Sequence, residues 1–318
     1  MNDFIKLILC LIVSFLFSFL FCKIHLKFFK STPKDQEEVK ALHPHHQFKS
    51  CGGIDFILST LITFILFNFK NSNHKSFFLL IFTALYFALI GWIDDLIKIK
   101  AKDNKGLSAL LRIILELIGA IIIVEITSIE LIEFIRVKEI YIYIGSFALI
   151  YAVFCILGTC NAINLTDGLD GLVTITYLLA VTPFVYISIR QGNFIVCSFL
   201  ISLIGSLLAY LCFNFNPSKL IMGDVGSLSL GALLAVSAII LNSEILLLIS
   251  GGIYIIEALS VILQVSYFKL TKGKRIFKMT PLHYHFIKKG MKDTNVVLLF
   301  TVFGIILSIL ATIIGVII

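Results

Sequence analysis

The sequence predicts an all-α polytopic integral membrane protein with about ten transmembrane helices, and three observations carry that expectation. First, 59% of its 318 residues are hydrophobic and only 14% are charged, with a mean hydropathy of +1.03. Soluble domains run at about 45–50% apolar and about 25% charged. Second, the apolar residues form continuous runs of roughly twenty, the length a helix needs to cross hydrocarbon, and not the alternation of a β-barrel. Third, the basic residues divide unevenly between alternate loops, as they do on the two sides of a membrane.

The runs fall near 4–22, 52–69, 77–93, 107–125, 140–160, 172–189, 194–212, 226–241, 245–268 and 295–317. Residues 4–22 lack a basic leader and a small-residue cleavage site, so they read as an uncleaved first span. The polar stretches between the runs are too short for a soluble domain, which predicts one membrane-embedded domain over 1–318. Of the 26 Lys and Arg residues, 19 fall in the loops 23–51, 94–106, 161–171, 213–225 and 269–294. The opposite loops hold 5. The positive-inside rule makes the first set cytoplasmic and puts both termini outside. The net charge of +7 is then a matter of topology and gives no reason to expect a nucleic-acid partner.

Chemistry is sorted along the same axis. Asp94, Asp95, Asp103, Asp167, Asp170, Asp224, His283 and His285 fall on the cytoplasmic side, whereas Glu130, Glu133 and Glu139 are scattered over the outer one. That predicts an active site on the cytoplasmic face. The seven cysteines have neither CxxC nor zinc-type spacing and read as small core residues. A P-loop and a serine-hydrolase elbow are both absent from the sequence.

Four motifs carry the chemistry. In Gly91-Trp92-Ile93-Asp94-Asp95-Leu96-Ile97-Lys98, two adjacent carboxylates at a membrane boundary are costly unless they share a cation or a proton. Lys98 stands at ion-pair spacing from Asp94. In Asn161–Gly171, the residues Asn161, Asn164 and Asp167 recur at i+3, on one helical face, with Asp170 following. That density of oxygen donors suits a hard cation or a sugar phosphate. Asn214–Ser227 ends in Gly-Asp-x-Gly-Ser before an apolar run, so Asp224 or Ser227 is a candidate helix cap. The basic loop 269–292 holds His283 and His285, whose rings converge only on a loop or extended segment; metal, phosphate and proton transfer are all open to them, phosphate being favoured. Together these groups suit divalent-metal-assisted chemistry on a phosphate ester or diphosphate.

In order and spacing, the four motifs resemble the polyprenyl-phosphate N-acetylhexosamine-1-phosphate transferase superfamily. Within it, Asn161–Leu172, Met222–Leu230 and Glu257–Phe286 are similar to the branch of phospho-N-acetylmuramoyl-pentapeptide-transferases, and the resemblance runs from about residue 43 to the end. It implies an enzyme of peptidoglycan synthesis in the bacterial inner (cytoplasmic) membrane. Such an enzyme transfers phospho-MurNAc-pentapeptide from its UDP carrier to undecaprenyl phosphate with Mg²⁺, giving lipid I and UMP. By the same resemblance Asp224 is the metal ligand, and Asp94, Asp95, Asp167 and His283 are catalytic. Asp94 serves there as base, as orienting carboxylate or as covalent nucleophile. Lys98, Asn161, Asn164, Asp170, Asn214, Gln264 and His285 would contact substrate. The expected partners are the two substrates and membrane lipid, with a homodimer left open.

Three positions depart from the family pattern. Phe48-Lys49-Ser50-Cys51-Gly52-Gly53 stands for Thr-Pro-Thr-Met-Gly-Gly, Tyr284 for the middle of three histidines, and Ile221 for an aromatic residue. A paralogue with another UDP-N-acetylhexosamine preference is therefore an alternative. So is a secondary transporter for an anionic solute, with Arg112, Glu116 and Glu257 lining its path.

Overall fold

The structure is a computed structural model, and it describes residues 3–28, 51–71, 75–101, 106–127, 134–137, 140–143 and 145–317. Phe48–Ser50, Asp103, Glu130, Glu133 and Glu139 lie outside the described residues.

Twelve α-helices follow one another among the described residues. They are α1 (Asp3–Phe28), α2 (Gly53–Asn68), α3 (Lys75–Ala101), α4 (Ala109–Thr127), α5 (Ala148–Thr166) and α6 (Leu172–Arg190). Then come α7 (Phe194–Asn214), α8 (Gly223–Ile240), α9 (Glu244–Ser250), α10 (Gly252–Leu270), α11 (Leu282–Lys288) and α12 (Asp293–Ile317). Eight of these are long and apolar enough to cross a membrane, so the chain is a multi-pass membrane protein. The two other apolar helices are α2, with 16 residues, and α4, which carries Arg112, Glu116 and Glu125.

Two expectations are corrected. The run 140–160 begins as strand, not helix: β1 (Phe134–Val137) and β2 (Ile140–Tyr143) form an antiparallel hairpin with Phe134 opposite Tyr143, an appendage to an otherwise helical fold. Alternating β-branched and aromatic residues in Ile140-Tyr141-Ile142-Tyr143 favour a pleated strand, and hydropathy alone cannot tell it from helix. The run 245–268 is split between α9 and α10 at Gly251-Gly252, where glycine lowers the cost of leaving the helix.

Helix α8 is the centre of the bundle, packed on α3 and α5 and touching α2, α6 and α9. Around it, α1 and α2 pack on α7, and α6 packs on α12. Small residues set the distances. On α1, buried Cys10, Ser14, Ser18 and Cys22 recur every fourth residue, one helical face. That face meets α7, where Ser14 Oγ donates to the Ser202 carbonyl at 2.5 Å and Ser18 Oγ to that of Ser206 at 2.8 Å. Close approach by small residues and interhelical hydrogen bonds replace the hydrophobic drive that lipid cannot supply.

Candidate active site

The site begins with one contact between backbones. Gly91 of α3 lies so close to the Asp224 carbonyl that a Cβ there would overlap it. This lets the last turns of α3 lie against the first turn of α8. Asp95, one turn beyond Gly91, then reaches that first turn: its Oδ1 accepts from the Asp224 N–H at 3.2 Å and its Oδ2 from the Val225 N–H at 3.3 Å. These amides have no partner within the helix, so Asp95 acts as the cap that sequence spacing suggested for Asp224 or Ser227. Gly223 adopts φ +68°, and a side chain there would strike Asp95. Cys51 donates its thiol to Asp95 Oδ2 at 3.7 Å.

Asp94 points to the neighbouring face. Its Oδ1 accepts from the Leu107 N–H at 2.6 Å, and its Oδ2 pairs with Lys98 Nζ at 2.5 Å. Lys98 also reaches Asp224 Oδ2 at 2.8 Å. On the other side of Asp224, Asn164 Nδ2 donates to Oδ1 at 2.9 Å and to Ser227 Oγ at 2.9 Å. One carboxylate oxygen from each of Asp94, Asp95 and Asp224 lies within 4.8 Å of the others. Asp94 and Asp95 are buried at 1% and 4% exposure, while the Asp224 side chain is the most open of the three at 14%.

Helix α4 adds two residues. Arg112 Nη1 is 3.7 Å from Asp224 Oδ2, and its Nε is 3.6 Å from Glu116 Oε1. Glu116 Oε2 accepts from Asn161 Nδ2 at 2.7 Å. Asn161 and Asn164 stand on α5, whereas Asp167, expected on the same face, is the residue that follows the helix; Asn164 touches Asp224, and Asn161 reaches Asp224 through Glu116 and Arg112. In sequence, Arg112–Glu116 reads as a local pair or a transport path; the structure joins it to the aspartates at one end of the bundle. Four carboxylates, Asp94, Asp95, Asp224 and Glu116, face two cations, Lys98 and Arg112. The formal remainder of −2 is the charge one divalent cation offsets, and an all-oxygen donor set suits a hard one.

A second group holds the loop between α7 and α8. Asp170, in the α5–α6 turn, accepts from the Ser218 N–H at 3.0 Å and Ser218 Oγ at 2.8 Å. Asn214 accepts from Thr174 Oγ1 at 2.7 Å and donates to the Leu220 carbonyl at 2.9 Å. Gly52 and Gly53 donate their N–H groups to the Ile221 and Met222 carbonyls, both at 2.9 Å. Ile221 itself is buried.

The third group comes from α10 and α11. His283 is fully buried: its N–H donates to Glu257 Oε1 at 3.1 Å and its Nδ1 lies 3.3 Å from Glu257 Oε2. Its Nε2 is buried without a hydrogen-bond partner among the described residues, against Gly168 of the α5–α6 turn. The neighbouring Tyr284 donates to the Gly168 carbonyl at 3.3 Å. Burial, then the charge of Asp167, push the Tyr284 phenol above its usual range. The expectation that His283 and His285 converge fails, because they stand on a helix and not a loop. Residues i and i+2 of a helix point about 200° apart. His285 turns away, accepting the Lys278 N–H at 3.0 Å and lying edge-on to Phe277. Partial burial and then the nearby Lys289 and Lys278 lower its pKa. Gln264 Oε1 accepts from the Ile276 and Phe277 N–H groups at 3.0 and 2.9 Å, so both residues order the basic loop.

Sequence reading passed over Glu257 and Ser218 as parts of this site. Glu257 carries a signal, an acid inside an apolar run; Ser218 carries none.

Residues 77–242, which hold the three aspartates, match the family described as glycosyl transferase family 4. A phospho-N-acetylmuramoyl-pentapeptide-transferase of Rickettsia felis is 35% identical over 95% of this chain and 90% of its own length. One from Wolbachia pipientis wMel is 37% identical over 93% and 95%, and one from Rickettsia prowazekii is 36% identical over 95% and 90%. A match that carries the whole carboxylate cluster, with relatives alike nearly end to end, places this chain in the phospho-N-acetylmuramoyl-pentapeptide-transferase family.

Proposed function

We propose that the protein transfers phospho-MurNAc-pentapeptide from its UDP carrier to undecaprenyl phosphate, releasing UMP and forming lipid I in the bacterial cytoplasmic membrane. The observation that carries this reading is the cluster of Asp94, Asp95 and Asp224 with Lys98 and Arg112 at one end of a membrane bundle. An oxygen of the lipid phosphate attacks the sugar-linked phosphorus, and the bond from that phosphorus to the UMP oxygen breaks. Both reactants are anionic, so catalysis here is chiefly the management of negative charge.

Asp224 and one of the two α3 aspartates would hold Mg²⁺. The ion supplies screening of phosphate charge as the leaving group departs. Lys98 and Arg112 bring positive charge to the same place. Asp94 has both oxygens engaged, by the Leu107 amide and by Lys98. That supports an orienting carboxylate or base over a covalent nucleophile. Asp95 fixes the first turn of α8 and so aims Asp224. His283, tethered by Glu257, presents Nε2 toward the α5–α6 turn, where Asp167 and Asp170 stand.

The test is purified protein with undecaprenyl phosphate, Mg²⁺ and a panel of UDP-sugars, with UMP release as readout. The muramoyl-pentapeptide carrier is expected to be the preferred donor; UMP release from only a simpler UDP-N-acetylhexosamine would refute that choice. On this reading the chain crosses the membrane ten times with both termini outside, and the chemistry faces the cytoplasm. In a cysteine-free background, a cysteine at position 70 should then label from outside and one at 274 only from inside; the reverse would turn the protein over.

A further inference from the structure

Glu116 is an acid inside an apolar helix, α4, and none of its surface is exposed. A carboxylate in such a place is costly and calls for a reason beyond packing. It is fixed from one side. Asn161 on α5 donates to its Oε2 at 2.7 Å, and the same Nδ2 donates to the Leu157 carbonyl at 2.9 Å. Its other oxygen, Oε1, faces Arg112 Nε at 3.6 Å. Both of these atoms are buried, and neither makes a hydrogen bond among the described residues.

Arg112 therefore stands between two acids from different helices without closing on either. Its Nε is 3.6 Å from Glu116 Oε1, and its Nη1 is 3.7 Å from Asp224 Oδ2. An arginine and a carboxylate left to themselves close to a forked pair at about 2.7–2.9 Å. Asp224 has little room for such a pair. Asn164 donates to its Oδ1 at 2.9 Å, and Lys98 reaches its Oδ2 at 2.8 Å while also serving Asp94. A guanidinium closing on Oδ2 as well would be a fixed internal cation, competing with a metal ion for that oxygen.

We propose, on the divalent-cation reading of the aspartate cluster, that Glu116 is a positioning residue. It holds the Arg112 guanidinium back from Asp224 and so leaves the Asp224 carboxylate available to the metal. Asn161 is the anchor of this arrangement, because its amide decides where Glu116 stands.

The test is Mn²⁺ titration of the purified full chain in detergent, followed by electron paramagnetic resonance. Mn²⁺ takes the same oxygen ligands as Mg²⁺ and is read directly, without turnover. The unaltered protein should bind Mn²⁺ in a site that D224N removes. E116Q keeps an acceptor for Asn161 but loses the charge that retains Arg112. It should raise the Kd about tenfold, the scale of one charge changed at the edge of a site. R112Q takes away the competing cation and should lower the Kd about threefold. In the R112Q background, E116Q should change the Kd by less than about twofold, since the residue it acts through is gone. N161A frees the anchor without touching any charge, and should raise the Kd about threefold, a fraction of one hydrogen bond.

A role in helix packing alone predicts otherwise. E116Q and N161A would then lower the melting temperature with the Kd unchanged, or E116Q would weaken Mn²⁺ equally with and without Arg112. Either result would overturn the proposal and leave the metal site standing. Absence of any D224N-sensitive Mn²⁺ site in the unaltered protein would overturn the metal reading and this proposal together.

Discussion

Helices α8 and α10 are of similar length, 18 and 19 residues, and both are apolar enough to span a membrane, yet they occupy opposite places. In α8, 83% of the apolar stretch is buried; in α10, 28%. Residue size accounts for the difference. Helix α8 is built on Gly226, Ser227, Ser229, Gly231, Ala232, Ala235, Ser237 and Ala238, which let neighbours approach from every side. Helix α10 carries Ile256, Leu259, Ile262, Leu263 and Phe268 on its exposed faces, and buries one stripe through Tyr254, Glu257, Ser260 and Gln264. Hydropathy measures how much a helix dislikes water; in lipid, the volume of its side chains decides whether it sits in the middle. The functional groups follow. Asp224 is held by the buried centre, and Glu257 reaches inward from the rim to hold His283.

Four comparisons, made with five substitutions, sharpen or break that contrast. The largest effect is expected from Asp224→Asn, which keeps shape and removes charge. Turnover should fall by about 10²–10³, the scale of losing a group that handles transition-state charge. The melting temperature should stay near that of the parent; turnover within a few-fold of the parent would take α8 out of the chemistry. Next comes Glu257→Gln on α10. It keeps an acceptor for the His283 N–H but removes the charge beside Nδ1 that sets the tautomer. A loss of about tenfold in kcat is expected, with a shifted pH–rate profile. An unchanged profile would make the pair purely structural.

The third compares the helices directly. Gly231→Leu puts a side chain against the Cα of Cys160, a backbone atom that cannot step aside, so overpacking should cost about 1–3 kcal/mol or more. Ile262→Ala on the exposed side of α10 should change stability by less than about 0.5 kcal/mol. Equal losses in unfolding assays would refute the centre-and-rim reading. The smallest effect is expected from Tyr284→His. The Tyr284 hydroxyl is already engaged by the Gly168 carbonyl, and its ring is packed 4.1 Å from His283. A change of a few-fold in KM with kcat nearly constant is expected. A large gain in kcat would show that the middle position needs a histidine's charge.

Much of this was legible in the chain. Every apolar run contains a helix, because about twenty consecutive apolar residues have few other ways to satisfy their backbone in lipid. The aspartates also announced themselves, since adjacent acids at a span boundary need an explanation. What sequence could not show is how the carboxylates divide their work. Asp94 and Asp95 look equivalent as letters, but the 100° between successive helix residues sends one to Leu107 and Lys98 and the other to the amides of α8. Likewise, Arg112 belongs to the cluster only because α4 packs beside α3. The histidines were misread for a local reason: a seven-residue helix after Pro281 is too short to leave a clear period.

The contact of Gly91 with the Asp224 carbonyl bears on how the protein is made. Translation delivers α3 long before α8, and until α8 is inserted Asp95 has no amides to accept from and Asp94 has no Asp224 across from it. A nascent chain that ends before residue 223 therefore contains two of the three aspartates but no site. The acidic end of α3 is left waiting at the water interface, with Lys98 as its nearest counter-charge. Arrival of α8 brings the three aspartates together, and Glu257 and His283 follow only with α10 and α11, so the two parts of the site are built in sequence.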